Sequence, residues 1–170
     1  MLGRERALRA LRDAGCSKKV IEHSSVVEGK ALEIAKKIAK NGYQIDLKLV
    51  EIGALLHDIG RSRTHDVRHG VIGGEILRQM GLGEFARFAE NHIGAGIPAA
   101  EAKELGLPAR DFIPRTLEEK VVTYADKLMS GKREISYEKA VEWFKTELGE
   151  NHPALGRFER LHLEIKRFTG

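Results

Sequence analysis

The sequence lacks most of the features of a secreted or membrane-embedded protein. Cys16 is its one cysteine, which excludes an internal disulfide and fits a reducing compartment, so we expect a cytoplasmic protein. No apolar run approaches the roughly 20 residues that a membrane-spanning helix needs, so we expect a soluble chain without a membrane partner. Only 6% of the residues are aromatic, and one of these is tryptophan.

Charge of one sign is also not in large excess. The chain has 29 Lys and Arg against 25 Asp and Glu, a net charge of +4, and the two signs are interleaved. This mild basic balance favours a small anionic ligand. It tolerates nucleic acid without favouring it, because no arginine-rich arm or aromatic-basic platform stands out. The sequence is compatible with a homodimer.

The dominant pattern is a helical one, in which apolar residues recur three and four positions apart. One stripe comprises Val20, Val27, Ala31, Ile34, Ala35 and Ile38, and its helix is predicted to end at Asn41–Gly42. The next helix, from Leu47 to Leu56, is apolar almost all round, which predicts a buried central helix. With no alternating strand pattern and no repeat, residues 1–170 are predicted to form a single all-α domain.

Several polar side chains fall on these apolar faces. His57 and Asp58 continue the face of the apolar helix, and His92 follows Phe88 by four. The set of such residues is His23, His57, Asp58, His69, His92 and Asp126, on five predicted helices. A lone histidine in such a position is more often a hydrogen-bonded core residue, but each of these groups would need its own buried partner. One metal centre would satisfy all of them, and the sequence therefore predicts such a centre.

A second His-Asp pair, His65-Asp66, follows the first within one loop. Because the loop offers no helical face, we expect His65 at the protein surface or at the rim of the site. Cys16 has no feature of a nucleophile.

Four separated motifs now occur in a recognisable order: His23-Ser-Ser-Val-Val, Ala54-Leu-Leu-His-Asp-Ile-Gly60, His69-Gly-Val-Ile-Gly-Gly-Glu75 and Tyr124-Ala-Asp-Lys127. Together they resemble the HD-domain superfamily of metal-dependent phosphohydrolases, in its HDIG subgroup. The resemblance covers about residues 17–130 and implies a helical bundle with a metal site at its centre. A helical extension over about residues 136–168 lies outside it.

The resemblance also implies a ligand set. The simplest members of the superfamily hold one ion with the counterparts of His23, His57, Asp58 and Asp126. Others add two histidines, at positions that His69 and His92 match here, and hold two ions with the Asp58 counterpart bridging. We therefore favour two ions over one. Imidazole and carboxylate ligands suit Mn, Fe, Co, Ni or Zn better than Mg or Ca.

The activity implied is hydrolysis of a nucleotide or a related small phosphate ester, either a monoester or a diester, by metal-activated water. Asp58 would orient that water, and Arg61 and Lys127 would contact the phosphate. The chain lacks the Gly-Tyr-Pro motif of cyclic-di-GMP phosphodiesterases and has His92 where many relatives have a His-His pair, which argues against that substrate. Two alternatives stay open: a di-iron oxygenase, as in myo-inositol oxygenase, or a non-catalytic regulatory or nucleic-acid-binding domain stabilised by metal.

Overall fold

The computed structural model describes residues 2–170, and nearly all of the regular structure is helical. The helices are α1 (Arg4–Ala14), α2 (Lys18–Lys40), α3 (Leu47–Leu56), α4 (His69–Gln79), α5 (Ala86–Glu90), α6 (Ala99–Glu104), α7 (Leu117–Lys127), α8 (Tyr137–Leu148) and α9 (Pro153–Thr169). Short 3-10 turns cover Ile59–Ser62, Gly83–Phe85 and Ile93–Ala95. The predicted all-α fold is confirmed.

Polar side chains fix where several of these helices begin. Ser17, Asp46, Thr116 and Ser136 each accept a hydrogen bond from the backbone N–H three residues further on. Such N-caps satisfy a donor that the first helical turn leaves free, and each stabilises its helix by about 1 kcal/mol.

The core forms around the long helix α2. Its predicted stripe is buried, and the helix packs against α3 on one side and α7 on another. The prediction for α3 is wrong at its first turn: Leu47 is 36% exposed, whereas residues 52–56 are buried. The reason is that α3 begins at the protein surface, where Asp46 caps it, and runs inward. The buried side chains of α3 therefore begin only at Val50.

Two small elements lie outside the predicted pattern. Helix α6 has a single fully buried apolar residue, Ala102, so it shows no stripe. Residues 129–134 form a two-stranded antiparallel hairpin, β1 (Met129–Ser130) and β2 (Arg133–Glu134), where turn-forming residues predicted a loop. Strands of two residues are too short to show alternation in a sequence.

Gly60 controls how the chain leaves α3. A Cβ atom at this position would lie 1.8 Å from the backbone oxygen of His69 and 2.7 Å from the backbone nitrogen of Gly73. Only glycine allows the Ile59–Ser62 turn to lie directly on the first turn of α4. This contact brings the segment after α3 next to His69.

No helix within residues 2–170 combines the length and the hydropathy that crossing a lipid bilayer requires.

Candidate metal centre

The structure brings all six predicted ligand residues together. His23 lies in α2, Asp126 in α7, and His69 is the first residue of α4. The expectation that all six lie on helices is wrong for the other three. His57 and Asp58 directly follow α3, and His92 lies two residues beyond the end of α5. The backbone still has near-helical angles at His57, with φ −58° and ψ −33°, and at His92, with φ −85° and ψ −16°. Asp58 leaves the helical region, with φ −102° and ψ 15°. Helical phase therefore accounts for the inward direction of His57 and His92, although α3 and α5 end before them, but not for that of Asp58.

Each histidine ring is oriented by a backbone carbonyl that accepts a hydrogen bond from its Nδ1. His57 donates to Ala54 at 2.6 Å, His69 to Asp66 at 2.7 Å and His92 to Ala89 at 2.8 Å. The carbonyl partner of His23 is instead distant in sequence, Gly131 at the hairpin turn, at 3.2 Å. The last carbonyls of a helix lack intrahelical partners, which explains why His57 and His92 sit just after α3 and α5. With Nδ1 as donor, a neutral ring directs the Nε2 lone pair inward.

The four Nε2 atoms and the two carboxylates form one cluster, in which four side chains are buried and those of His23 and Asp126 are 23% and 13% exposed. His23 Nε2 lies 2.9 Å from Asp126 Oδ1, and His57 Nε2 lies 3.3 Å from the same oxygen. His69 Nε2 lies 3.2 Å from His92 Nε2. Lone pairs at such distances repel one another unless a proton or a metal ion lies between them.

Asp58 lies at the centre, and its two oxygens face different histidines. Oδ1 is 3.2 Å from the Nε2 atoms of both His69 and His92. Oδ2 is 3.7 Å from His23 Nε2 and 3.6 Å from His57 Nε2. This carboxylate therefore joins two groups of potential ligands, one on each side.

The cluster perturbs the pKa values of its members. Burial raises the pKa of the Asp58 carboxyl, but the charge of His57 and the close Nε2 atoms of His69 and His92 outweigh burial and hold it well below its usual range. Burial lowers the pKa of His57, but Asp58 and Asp126 raise it to about 9. Burial lowers the pKa of His92 to about 4, so this ring stays neutral. The two carboxylates thus attract positive charge to the cluster, either as a proton or as a metal ion.

The donor set fits a metal ion. His57 Nε2 and Asp58 Oδ1 are buried and have no hydrogen-bond partner within the described chain, residues 2–170. Two triplets have ligand atoms within 4.8 Å of one another: His23, His57 and Asp126, and His57, Asp58 and His92. Burying an acceptor without a partner costs free energy, because the acceptor loses its hydrogen bonds to water. A bound cation offsets this cost by coordinating the acceptor. That each residue binds metal stays a prediction.

Arg61 and Lys127, the predicted phosphate contacts, lie at the edge of this cluster. Arg61 Nε lies 3.1 Å from Asp58 Oδ2, and Lys127 Nζ lies 2.6 Å from Asp126 Oδ2. Each of these two side chains therefore contacts a predicted metal ligand and also lines the cavity next to the cluster. Arg61 Nη1 also donates to the His65 carbonyl, at 3.4 Å. The Nη2 donors of Arg61 and the other donors of the Lys127 ammonium can meet an anion.

Two cavities open onto the cluster. The first cavity, of about 400 Å³, is bounded by ligand residues on one side and by α8, including Trp143, on the other. The second cavity, of about 580 Å³, is bounded by the start of α2, with Lys19, and by Lys132 of the hairpin turn. Sequence reasoning did not single out Trp143, Lys19 or Lys132, because only the tertiary packing of α8 and of the hairpin brings them here. The sequence gives one signal for Trp143, which is that it is the one tryptophan of the chain. Its exposed fraction of 56% is visible only in the structure.

The remaining singled-out side chains lie where they were expected. His65 is exposed, at the rim of the second cavity. Burial raises the pKa of the Cys16 thiol to about 11, and the nearby charge of Asp58 adds to the effect, so this thiol is unreactive at neutral pH.

Comparison with known proteins bears on this geometry. Residues 20–130 match the family model of the HD domain, and this span includes all six clustered residues. No solved structure matches the chain.

Curated relatives cover nearly the whole chain. An uncharacterised protein of Methanocaldococcus jannaschii is 49% identical over 162 residues, which are 95% of each chain. Proteins named tRNA (cytidine(56)-2'-O)-methyltransferase are 36% identical in Picrophilus torridus and 38% identical in Thermoplasma volcanium, over 98% and 92% of this chain. The chain spans less than half of these two, 47% and 44% of their lengths. The chain therefore belongs to the HD-domain superfamily of metal-dependent phosphohydrolases.

Proposed function

We propose that this chain is a metal-dependent phosphohydrolase that acts on a nucleotide or a related small phosphate ester. The observation that carries the proposal is a buried cluster made almost wholly of hydrogen-bond acceptors at the wall of an open cavity. Two cationic side chains, Arg61 and Lys127, stand at its edge. Such an arrangement suits a cation inside and an anion just outside.

The ligand geometry supports two ions. His23, His57 and Asp126 would hold one, and His69 and His92 would hold the other. Asp58 would bridge them, because its Oδ2 faces the first group and its Oδ1 faces the second. Ions of the Mn, Fe, Co, Ni or Zn type suit this mixture of imidazole and carboxylate.

When bound, divalent ions would supply positive charge for the phosphoryl oxygens and lower the pKa of a water molecule towards neutrality. The chain's own residues position the other reactants. Arg61 and Lys127 would bind the phosphate oxygens, and the buried Asp58 carboxylate, held ionised, would orient the water. The water oxygen forms a new P–O bond, the bond to the ester oxygen breaks, and that oxygen takes up a proton. No oxidant or other co-reactant is needed.

A second candidate is a non-catalytic domain that serves a nucleic-acid-modifying protein. The names of the Picrophilus and Thermoplasma relatives favour it, because in those proteins the matching region is less than half of a longer chain. The presence of all six clustered residues favours catalysis instead, since apolar side chains could fill the same positions in a merely structural domain.

Elemental analysis combined with one substitution tests the proposal. We expect the purified protein to contain a transition metal and to hydrolyse phosphate esters such as p-nitrophenyl phosphate or its bis ester with Mn, Co, Ni or Mg added. In Asp58→Ala both metal content and hydrolysis should fall, the latter by at least about 100-fold, because the central carboxylate is lost. Asp13→Ala, an exposed residue of α1, is the matched control and should change neither.

Full activity in Asp58→Ala would contradict the proposal. Tightly bound iron without phosphatase activity under any metal would favour the oxygenase alternative. Salt-dependent binding of RNA without hydrolysis would favour the non-catalytic candidate.

A further inference from the structure

The first cavity has an apolar wall opposite the ligand residues. Helix α8 supplies Ala140, Trp143, Phe144 and Leu148, and the hairpin region adds Met129 and Ile135. Trp143 is 56% exposed although it faces this cavity, and its ring meets Phe144 edge to face, with centroids 5.6 Å apart and planes at 86°. A half-exposed indole at the wall of a cavity offers a flat surface on which a planar apolar group can stack.

The second cavity has a basic wall. Lys19 is exposed and has no acidic partner among residues 2–170, whereas Lys132 is 67% exposed and pairs with Glu22 at 3.0 Å. Arg61 also lines this cavity. The surplus of positive charge here favours an anionic group of a ligand. Among the residues that the structure describes, this cavity has no large apolar side chain on which a nucleotide base could stack.

The two cavities meet at the candidate metal centre. Both are lined by His23 and Arg61, and the hairpin turn separates them, with Ser130 on the first side and Gly131 and Lys132 on the second. The centre therefore lies between two openings rather than at the end of one. A phosphate monoester needs room on one side of its phosphorus atom, whereas a diester carries a substituent on each side.

We propose that the substrate is a linear nucleotide phosphodiester held across the centre. A base of the nucleoside in the first cavity stacks on Trp143, and the next sugar and phosphate lie in the second cavity against Lys19 and Lys132. This inference rests on the proposed function and narrows its substrate class. Hydrolysis of one P–O ester bond by water converts the diester to a monoester and an alcohol, with the proton passing to the leaving oxygen.

The size of the cavities limits the length of the substrate. Volumes of about 400 and 580 Å³ lie in the range of small-molecule sites, each large enough for about one nucleotide. A duplex cannot enter either cavity, so the reacting nucleotides are single-stranded.

The fluorescence of Trp143 tests the stacking directly, because it is the only tryptophan of the chain. The protein as purified is titrated with a phosphorothioate-linked diadenosine, which resists hydrolysis, with AMP and with ribose 5-phosphate. We expect quenching by the dinucleotide and by AMP, with the dinucleotide binding more tightly, and none by ribose 5-phosphate. Quenching by ribose 5-phosphate to the same extent, or by none of the three, would overturn the stacking assignment.

Substitutions test the two walls separately through the hydrolysis of adenylyl-adenosine. Trp143→Ala should raise KM about tenfold, the usual effect of losing one stacked base. Lys19→Ala should raise KM for the dinucleotide about threefold, since an exposed cation contributes modestly. Tyr43→Ala and Lys36→Ala, an exposed aromatic residue and an exposed lysine of α2 remote from both cavities, are the controls and should leave KM unchanged.

The outcomes separate this inference from the proposed function. If phosphate esters are hydrolysed but AMP has a higher kcat/KM than the dinucleotide, the proposed function stands and the diester assignment is wrong. If the dinucleotide quenches Trp143 but no ester is hydrolysed with any metal, the proposed function fails while the nucleotide site remains supported. A higher kcat/KM for the dinucleotide, lowered by both wall substitutions, supports the inference.

Discussion

At the scale of single residues, the candidate centre depends on which nitrogen of each histidine carries the proton. Backbone carbonyls of Ala54, Asp66 and Ala89 each hold the Nδ1–H of the histidine three residues later. The rings cannot rotate without losing these bonds, so the inward Nε2 atoms are arranged before any ion arrives. Such preorganisation raises metal affinity because less ordering accompanies binding.

The histidines on the Oδ1 side of Asp58 test how many ions bind. His69→Ala and His92→Ala should each lower the metal content from about two ions per chain towards one, because each removes a ligand from the second group only. Inductively coupled plasma mass spectrometry measures the ratio, and the exposed His65→Ala serves as the control for a lost histidine. One ion per chain both in the wild type and in these variants would mean that the centre is mononuclear.

The thiol of Cys16 should react slowly with alkylating agents. Burial raises its pKa from 9.0 to about 11, so the reactive thiolate fraction near pH 8 is about 100-fold smaller than for an unperturbed thiol. Mass spectrometry of iodoacetamide adducts over time should show a rate that still increases above pH 10. In concentrated urea the same thiol should react at the ordinary rate. A rate in the folded protein that levels off near pH 9 would contradict this environment.

At the scale of secondary-structure elements, the contact between the Ile59–Ser62 turn and α4 positions both Asp58 and His69. Gly60→Ala should therefore destabilise the protein by about 3 kcal/mol or more, because the new methyl group meets backbone atoms that cannot move independently. Urea unfolding followed by circular dichroism measures the loss. Where the variant still folds, its metal content should also fall, since α4 must shift away from Asp58.

Gly29→Ala is the matched control for this substitution. Gly29 lies inside α2, and a Cβ there meets nothing within 4 Å. The change should leave stability unaltered or raise it by up to about 1 kcal/mol, because alanine has the higher helix propensity. Equal destabilisation by both variants would show that the close approach at Gly60 is unimportant.

Apolar periodicity in the sequence predicted the helices that have one buried face. It predicted few of the other elements. It located α2 from Val20 to Ile38 and placed His23 and Asp126 towards the interior. It also oriented His57 and His92, because the backbone keeps near-helical angles at these residues just beyond α3 and α5. Asp58 faces the cluster although its own angles, φ −102° and ψ 15°, are not helical. It could not show α6, where Ala102 alone is buried, or the hairpin, whose strands are two residues long.

At the scale of the whole molecule, the C-terminal helices are tied to the segment that follows His92. Arg157 of α9 makes two hydrogen bonds to the Glu101 carboxylate, at 2.9 and 2.7 Å, and its Nε donates to the Gly96 carbonyl at 3.1 Å. The Arg157 side chain is only 14% exposed. These contacts join residues more than 50 positions apart, so no local pattern predicts them.

Arg157→Ala should destabilise the protein by about 2 kcal/mol, since it leaves the Glu101 carboxylate and the Gly96 carbonyl without their donor. Chemical denaturation monitored by circular dichroism measures the difference. Arg160→Ala, at an exposed position of the same helix, should change stability by less than about 0.5 kcal/mol. Similar values for the two variants would mean that the link between α9 and α6 contributes nothing.

The difference between local patterns and long-range contacts also determines which parts of the site the sequence could predict. The residues that face the cluster from their own helices follow from periodicity within a segment. Trp143 and Lys132 reach the cavities only through long-range packing, and nothing near them in the chain indicates it. Local periodicity determines which side a residue faces, whereas the contacts between distant segments determine which residues share a cavity.

His23 differs from the other three histidines in how its ring is held. Its Nδ1 partner is the Gly131 carbonyl, 108 positions away at the hairpin turn, whereas the others bond within three residues of themselves. The hairpin therefore contributes to the orientation of this ring, together with Asp126 at 2.9 Å from Nε2, and has no part in orienting the other three. An ion held by His23 would therefore have one ligand whose orientation depends on the position of the hairpin, whereas the orientations of His69 and His92 depend only on the ends of their own local segments.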